Sequence, residues 1–149
     1  MAKSFTLQRI VEFSETDMAG LVHFTNFFRY VEAAEAALFE EIGWPLVHVD
    51  EQGSRGWPRV RASAKFHHPL HFRDRIQVSL GIKTLHPKAI DWKAAIHKNL
   101  SPGEPVKAAS LNMTTFHVQR PRTGLEMAPL SLPPELIERL EPYAEEILV

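Results

Sequence analysis

The 149-residue sequence predicts an α+β fold in which an antiparallel sheet is covered by one long helix. Three observations predict it: one early segment with apolar residues at helical spacing, several later segments with the alternation typical of strands, and short turn-like connections between them. Antiparallel strands joined by short turns form one sheet, whose apolar face needs a cover. We therefore interpret residues 1–149 as a single domain.

The N-terminal part is predicted to contain a strand, a loop and the long helix. Side chains alternate from Phe5 to Phe13, which indicates a strand, and Ser14–Gly20 interrupts the alternation as a loop. From Phe24 onward, apolar residues recur at helical spacing, which indicates a helix of about five turns. Gly43 and Pro45 are expected to end it.

The remainder is predicted to be mostly strands. A polar connection is expected at Leu46–Gly56 and an irregular segment at Arg120–Leu132. The predicted strands are Trp57–His67, Arg75–Leu85, Ala89–His97 and Val106–Val118, with a turn at Asn99–Pro105 before the last. A C-terminal helix opened by Pro133 and Pro134 is expected to carry an apolar stripe that ends at Ala144 and Ile147. The exposed edges of such a sheet favour pairing with a second copy.

Composition excludes several classes of function. A net charge of −1 and a pI of about 6.7 argue against nucleic acid or an anionic membrane as the main partner, because both need a concentrated basic surface. The chain has no cysteine, which excludes disulfides, a thiol nucleophile and thiolate metal ligands. The N-terminal residues lack the apolar run of a signal peptide, and no segment has the length of a membrane span. We therefore expect a cytoplasmic protein.

Common catalytic motifs are missing from the sequence. There is no G-x-S-x-G elbow, phosphate-binding P-loop, G-x-G-x-x-G or H-E-x-x-H. His67, His68 and His71 form a cluster with some likeness to a metal site. Adjacent residues of a strand point to opposite faces and Pro69 interrupts the strand, so we expect a solvated strand end here. No metal or other cofactor is predicted.

Asp17, in the loop before the long helix, is the strongest candidate for a catalytic group. One interpretation is structural, because a turn carboxylate often caps a helix or forms an Asx turn. The other is that Asp17 is a nucleophile or general base: Gly20 permits close approach, and Leu21, Val22 and Phe24 make the surroundings apolar. The N–H groups at the helix start could stabilise a developing oxyanion.

Four further residues have both a structural and a functional interpretation. His23, at the helix entrance, either caps the helix or orients a substrate. Glu35 falls within the apolar stripe and Glu32 at its edge, so each either pairs with an arginine from the sheet or from a partner subunit, or faces a ligand. Trp57 either belongs to the core or lines a pocket.

The pattern Asp17-x-x-Gly20-x-Val22-His23-Phe24-x-Asn26-Phe27, followed by Glu32, resembles the signature of the hotdog-fold acyl-CoA thioesterases of the 4-hydroxybenzoyl-CoA thioesterase type. The later Phe66-x-x-Pro69-x-x-x-x-Asp74 pattern resembles the strand crossing of that family, and the likeness covers most of the chain. The resemblance implies a long central helix wrapped by an antiparallel sheet. It also implies a homodimer with paired sheet edges, and in that family two such dimers often join as a homotetramer.

The resemblance also implies roles for individual residues. Asp17 is the expected catalytic carboxylate, and the backbone N–H of Phe24 is expected to polarise the thioester carbonyl. His23, Glu32 and Trp57 match positions that line the acyl pocket. The family often has a basic cluster for the CoA phosphates near Lys88, but this cluster is reduced here, so Arg73, Arg120 or Arg122 could take over part of its role.

The resulting hypothesis is an enzyme that hydrolyses a small aromatic or a short- to medium-chain acyl-CoA to the free acid and CoA. Asp17 is either the nucleophile, through an anhydride, or the general base for water, and the sequence leaves both open. Two alternatives are a non-catalytic acyl-CoA-binding hotdog module, in which Asp17 is only a cap, and a hydroxyacyl-thioester dehydratase.

Overall fold

The structure, a computed structural model, describes residues 1–99, 102–124 and 126–149. The helices are α1 (Phe24–Glu41) and α2 (Pro134–Leu140), with 3-10 helices at Phe13–Glu15 and Glu141–Tyr143. The strands are β1 (Phe5–Ile10), β2 (His48–Asp50), β3 (Gly53–Gly56), β4 (Arg59–Phe66), β5 (Arg75–Leu85), β6 (Ala89–Lys98), β7 (Val106–Phe116), β8 (Val118–Pro121), β9 (Ala128–Pro129) and β10 (Ala144–Ile147). Neither described helix is long and apolar enough to cross a membrane.

The larger sheet has six strands in the order β1-β5-β6-β7-β4, with β10 also paired to β5. Its pairs are antiparallel, as predicted, except that β10 runs parallel to β5. The predicted C-terminal helix is wrong in its second half, because Ala144 and Ile147 lie on β10. Pro142 lacks the N–H that a continuing helix needs, and the chain turns into a strand after it.

The long helix α1 covers one face of this sheet. It begins at Phe24, as predicted, and Gly43 follows its end with a φ of 72°, a conformation that glycine adopts without strain. Side chains from both layers form a fully buried core: Tyr30, Val31, Ala34, Leu38, Ile76, Leu80, Ile82 and Ile96. Val31 and Leu38 of the predicted apolar stripe lie in this core, whereas Phe24, where the stripe was expected to begin, is 57% exposed.

A second, four-stranded sheet has the order β2-β3-β8-β9 and was not predicted. The segments interpreted as a polar connection (Leu46–Gly56) and an irregular segment (Arg120–Leu132) both contribute strands to it. These strands have two to four residues each, too few for a clear alternation. The predicted turn at Asn99–Pro105 includes residues 100 and 101, which lie outside the described residues.

Strand β4 forms one edge of the large sheet and pairs with β7 on its inner side. Two of its apolar side chains, Val60 and Phe66, are 58% and 50% exposed. An edge strand with exposed apolar side chains is a surface on which another strand can add. This edge offers a surface for the expected pairing of two copies, which stays a prediction.

Candidate active site

Asp17 lies in a turn fixed by its own carboxylate. Its Oδ1 accepts hydrogen bonds from the N–H groups of Ala19, at 2.8 Å, and Leu21, at 3.1 Å. Gly20 has a φ of 82°, and its N–H donates to the Asp17 carbonyl at 3.0 Å. This arrangement is an Asx turn, one of the two interpretations of the sequence. Asp17 is nevertheless exposed, and no described residue forms a hydrogen bond with Oδ2.

The start of α1 is held next to this turn. A bridge between Thr16 and Val22 closes the loop that contains Asp17. His23 is the N-cap, and its Nδ1 accepts a hydrogen bond from the Thr25 N–H at 3.4 Å, so the helix-capping interpretation of His23 is confirmed. The N–H of Phe24, the first residue of the helix, has no acceptor among the described residues. It is therefore available to an anionic oxygen at the positive end of the helix.

An apolar cleft of about 330 Å³ opens beside the helix start. It is lined by Leu21, Val22, Phe24, Phe27, Phe66, His67, His68, Pro69 and Leu70. Asp17 itself is not part of this lining, but Leu21, whose N–H binds the Asp17 carboxylate, is. Residues 17–27 thus supply a fixed carboxylate, a helix N–H without an acceptor among the described residues and one apolar wall, and residues 66–70 supply the other wall of the cleft.

The histidines of the sequence cluster have separate surroundings. His67 and His68 are exposed, but both line the cleft, which the sequence analysis missed. Their position one and two residues after the aromatic Phe66, where β4 ends, is the signal that could have identified them. His71 faces Asp74 instead, with Nδ1 at 3.8 Å from its carboxylate. The described part of the chain contains no group of three or more His, Asp or Glu residues placed to hold a metal ion.

Glu32 and Glu35 both face the guanidinium of Arg59, at the start of β4. Nη2 of Arg59 lies 3.1 Å from Oε1 and 2.9 Å from Oε2 of Glu35, which is only 6% exposed. Burial raises the pKa of Glu35 to about 7, and Arg59 opposes this effect. The Glu32 carboxylate lies 4.0 Å from the same nitrogen, and its side chain is 72% exposed. The pairing of Glu35 with an arginine from the sheet is confirmed, and Glu32 is the carboxylate that is open to a ligand.

Trp57 and Lys88 lie away from the Asp17 turn within one subunit. The Trp57 ring packs 5.6 Å from that of Phe39, centroid to centroid, near the far end of α1. At about 1.5 Å per residue, Phe39 is about 22 Å along the helix from Phe24. Lys88 is exposed in the turn between β5 and β6. A single subunit therefore does not bring Asp17, Trp57 and Lys88 together.

Comparison with known proteins identifies the family. The sequence model of the thioesterase-like superfamily matches residues 11–140, and the chain belongs to this superfamily. The 4-hydroxybenzoyl-CoA thioesterase of Pseudomonas sp. (strain CBS-3) is 28% identical over 140 residues, which cover 93% of this chain and 98% of that protein. A 1,4-dihydroxy-2-naphthoyl-CoA hydrolase of Parasynechococcus marenigrum (strain WH8102) is 32% identical over 98 residues, which cover 61% of this chain and 64% of that protein.

Solved structures confirm the fold. An aspartate-to-asparagine variant of 4-hydroxybenzoyl-CoA thioesterase, complexed with 4-hydroxybenzoyl-CoA, matches with a TM-score of 0.80 at 20% identity, over 93% of this chain and 99% of that one. A 1,4-dihydroxy-2-naphthoyl-CoA thioesterase from Synechocystis matches with a TM-score of 0.75 at 23% identity, over 92% and 95%. These structures confirm the hotdog fold predicted from the sequence, and the superfamily confirms the predicted class of enzyme, a thioesterase.

Proposed function

We propose that the protein hydrolyses a small aromatic acyl-CoA thioester to the free acid and CoA. The observation that carries this proposal is the Asp17 carboxylate, held through Oδ1 in a turn just before α1. The first N–H of this helix, that of Phe24, has no acceptor in the described part of the chain. The names of two relatives support an aromatic acyl group, because they specify 4-hydroxybenzoyl-CoA and 1,4-dihydroxy-2-naphthoyl-CoA.

Asp17 acts through the oxygen that the turn leaves unbound. Oδ2 either accepts a proton from the water that attacks the thioester carbonyl, or attacks that carbonyl itself to form an anhydride, which water then cleaves. Either attack places negative charge on the carbonyl oxygen. The Phe24 N–H, at the positive end of α1, stabilises this charge, and the CoA sulfur leaves as the thiol after it takes up a proton.

A second copy of the chain completes the acyl pocket in this proposal. Antiparallel pairing of β4 with its copy places the Arg59 end of one strand opposite the Phe66 end of the other, and Phe66 lines the cleft. Glu32 of the partner subunit then reaches the cleft and accepts a hydrogen bond from a ring hydroxyl, while His23 lies at the helix start. Lys88, exposed at the sheet turn, offers a cation to the CoA phosphates. Two such dimers form a tetramer in the cytoplasm.

Thiol release from a panel of acyl-CoAs tests the proposed activity. The panel contains 4-hydroxybenzoyl-CoA, benzoyl-CoA, 1,4-dihydroxy-2-naphthoyl-CoA, butyryl-CoA and octanoyl-CoA. We expect turnover of the aromatic thioesters and a loss of at least about 100-fold for Asp17→Asn, the usual scale for removing a general base. The control is Glu40→Gln, which removes an exposed carboxylate near the other end of α1. Near wild-type hydrolysis by Asp17→Asn would contradict the proposed mechanism.

Two further measurements test the pocket and the assembly. Glu32→Gln should raise KM for 4-hydroxybenzoyl-CoA but leave that for benzoyl-CoA nearly unchanged, because only the former has a hydroxyl to donate. Equal changes in KM for both substrates would show that Glu32 does not recognise the ring hydroxyl.

Sedimentation should show a dimer or a tetramer at micromolar concentration, and a fully active monomer would disprove the shared pocket.

A further inference from the structure

A second cavity, of about 270 Å³, lies near the opposite end of α1 from Asp17. It is lined by Trp44, Leu46, His48, Arg55, Trp57 and His117, together with two prolines. No described residue lines both this cavity and the cleft beside Asp17. The Trp57 ring contacts Phe39, about 22 Å along the helix from Phe24, so the two cavities of one subunit are separate.

Aromatic rings form the walls of this cavity. The rings of Trp57 and His117 are stacked with their centroids 4.6 Å apart and their planes at 31°. Nδ1 of His117 lies 3.1 Å from the Leu130 carbonyl oxygen and donates to it, so Nε2 of the neutral ring is an acceptor. Burial lowers the pKa of His117, which keeps this ring neutral at neutral pH. Trp44 and Leu46 add further apolar surface.

Arg55, on β3, brings a positive charge to this aromatic cavity. Its Nε is buried and has no hydrogen-bond partner among the described residues. The carboxylate of Asp50 lies 3.8 Å from Nη2, beyond hydrogen-bond distance, so it balances part of the charge but does not occupy the donors. The Arg55 side chain as a whole is 36% exposed and lines the cavity, so its guanidinium can still donate from the Nη groups to an anionic oxygen of a ligand.

We propose that this cavity binds a small aromatic carboxylate, with its ring against Trp57 and Trp44 and its carboxylate on Arg55. The volume lies slightly below the usual lower limit of about 300 Å³ for ligand pockets, so it suits a single ring and not a CoA ester. Flat aromatic walls and one guanidinium are the complement of such an acid. Within one subunit this site is separate from the Asp17 cleft. Its link to turnover rests on the proposed function, because hydrolysis of an aromatic thioester releases an acid of this class.

Benzoate titration of the full-length protein tests the proposal, with benzyl alcohol as the uncharged analogue. Calorimetry should show one benzoate per subunit and weaker binding of benzyl alcohol. In nuclear magnetic resonance spectra, the indole N–H signals of Trp44 and Trp57 should shift. The third tryptophan, Trp92, is an internal control, because its Nε1–H is buried in the core and donates to Thr115 at 2.9 Å.

Substitutions test whether Arg55 supplies the positive charge and whether benzoate binds in this cavity. Arg55→Met should weaken benzoate binding at least about tenfold, the scale of one charge-assisted hydrogen bond. Arg75→Met, which removes an exposed arginine from β5, should leave binding unchanged. The Asp17→Asn variant should bind benzoate as the wild type does, whether or not the protein hydrolyses thioesters.

Three results would overturn the proposal: unchanged benzoate affinity in a folded Arg55→Met variant, equal affinity for benzyl alcohol, or a changed benzoate affinity in Asp17→Asn, whose lost negative charge would no longer repel an anion in the cleft. The last result would assign benzoate to the catalytic cleft. If Arg55→Met fails to fold, Trp44→Leu should weaken benzoate binding instead, and normal affinity in that variant would equally reject the site. Failure of hydrolysis alone, with benzoate still bound through Arg55, would reject only the proposed function.

Discussion

Replacing Glu35 by glutamine should stabilise the protein at pH 8 and flatten the dependence of its stability on pH. Burial raises the folded-state pKa of Glu35 to about 7, from an ordinary value of 4.5. The folded protein therefore holds a proton on Glu35 between these two pH values, whereas the unfolded chain has released it. Stability from this group is fully present below pH 4.5 and is lost as the pH rises through 7.

The magnitude follows from the two pKa values. Each pH unit between them changes the free energy of unfolding by about 1.4 kcal/mol, so the interval corresponds to about 3 kcal/mol at pH 8. Glutamine has nearly the same shape as protonated glutamate, and its carbonyl oxygen can still accept the 3.1 Å hydrogen bond from Arg59. Glu35→Gln should therefore be up to about 3 kcal/mol more stable than the wild type at pH 8 and nearly equal to it at pH 4.5.

Urea unfolding at several pH values between 4.5 and 8.5 measures this effect. The control is Glu32→Gln, which removes an exposed carboxylate from the same helix, 4.0 Å from the same guanidinium. In this variant the free energy of unfolding should change with pH almost as it does in the wild type. The reasoning would be refuted if Glu35→Gln were less stable than the wild type at pH 8 and kept the wild-type slope. That result would mean that attraction to Arg59 outweighs the burial of the charge.

Two other substitutions test the packing by chemical denaturation. Gly53→Ala should cost more than about 2 kcal/mol, because Gly53 has a φ of 133° and an added Cβ would overlap the Arg120 carbonyl. Gly56→Ala should stay within about 0.5 kcal/mol, because no atom of the described residues lies within 4 Å of its Cβ position. Equal losses in the two variants would exclude this steric explanation. Trp92→Phe should cost about 2 to 3 kcal/mol, because it leaves a void and removes the hydrogen bond to the buried Thr115, and a loss below about 0.5 kcal/mol would show that the core adjusts around the smaller ring.

The elements with strong sequence patterns were predicted closely, whereas the short strands that pair with segments far away in the sequence were not predicted. α1 and β5 begin where their side-chain periodicity begins, because that periodicity reflects one buried face. The small sheet was missed because β3 has four residues and pairs with β8, a strand far away in sequence. A short strand of this kind is stabilised by its partner and has little local pattern of its own.

The candidate site divides in the same way. The turn at Asp17 is local, so its glycine and its helix start could be recognised together in the sequence. The pairing of Glu35 was predicted only as far as the type of its partner, because the position of Arg59 depends on how β4 lies across α1. The Trp57 ring lies in a second cavity of its own subunit, near the far end of the helix, a position that a linear sequence does not reveal. Its assignment to an acyl pocket between subunits stays a prediction.

The charges around Arg59 also limit the acyl group that the proposed dimer accepts. Two carboxylates face this one guanidinium, and the Glu35 carboxylate already occupies its near side at 2.9 Å. A carboxylate on the acyl group would come close to the exposed Glu32 carboxylate before it reached Arg59, and the two negative charges would repel each other. A ring hydroxyl would instead donate a hydrogen bond to Glu32, whose negative charge makes it a strong acceptor. The same cluster that orders the helix against the sheet therefore favours a neutral, hydroxylated ring over a carboxylated acyl group.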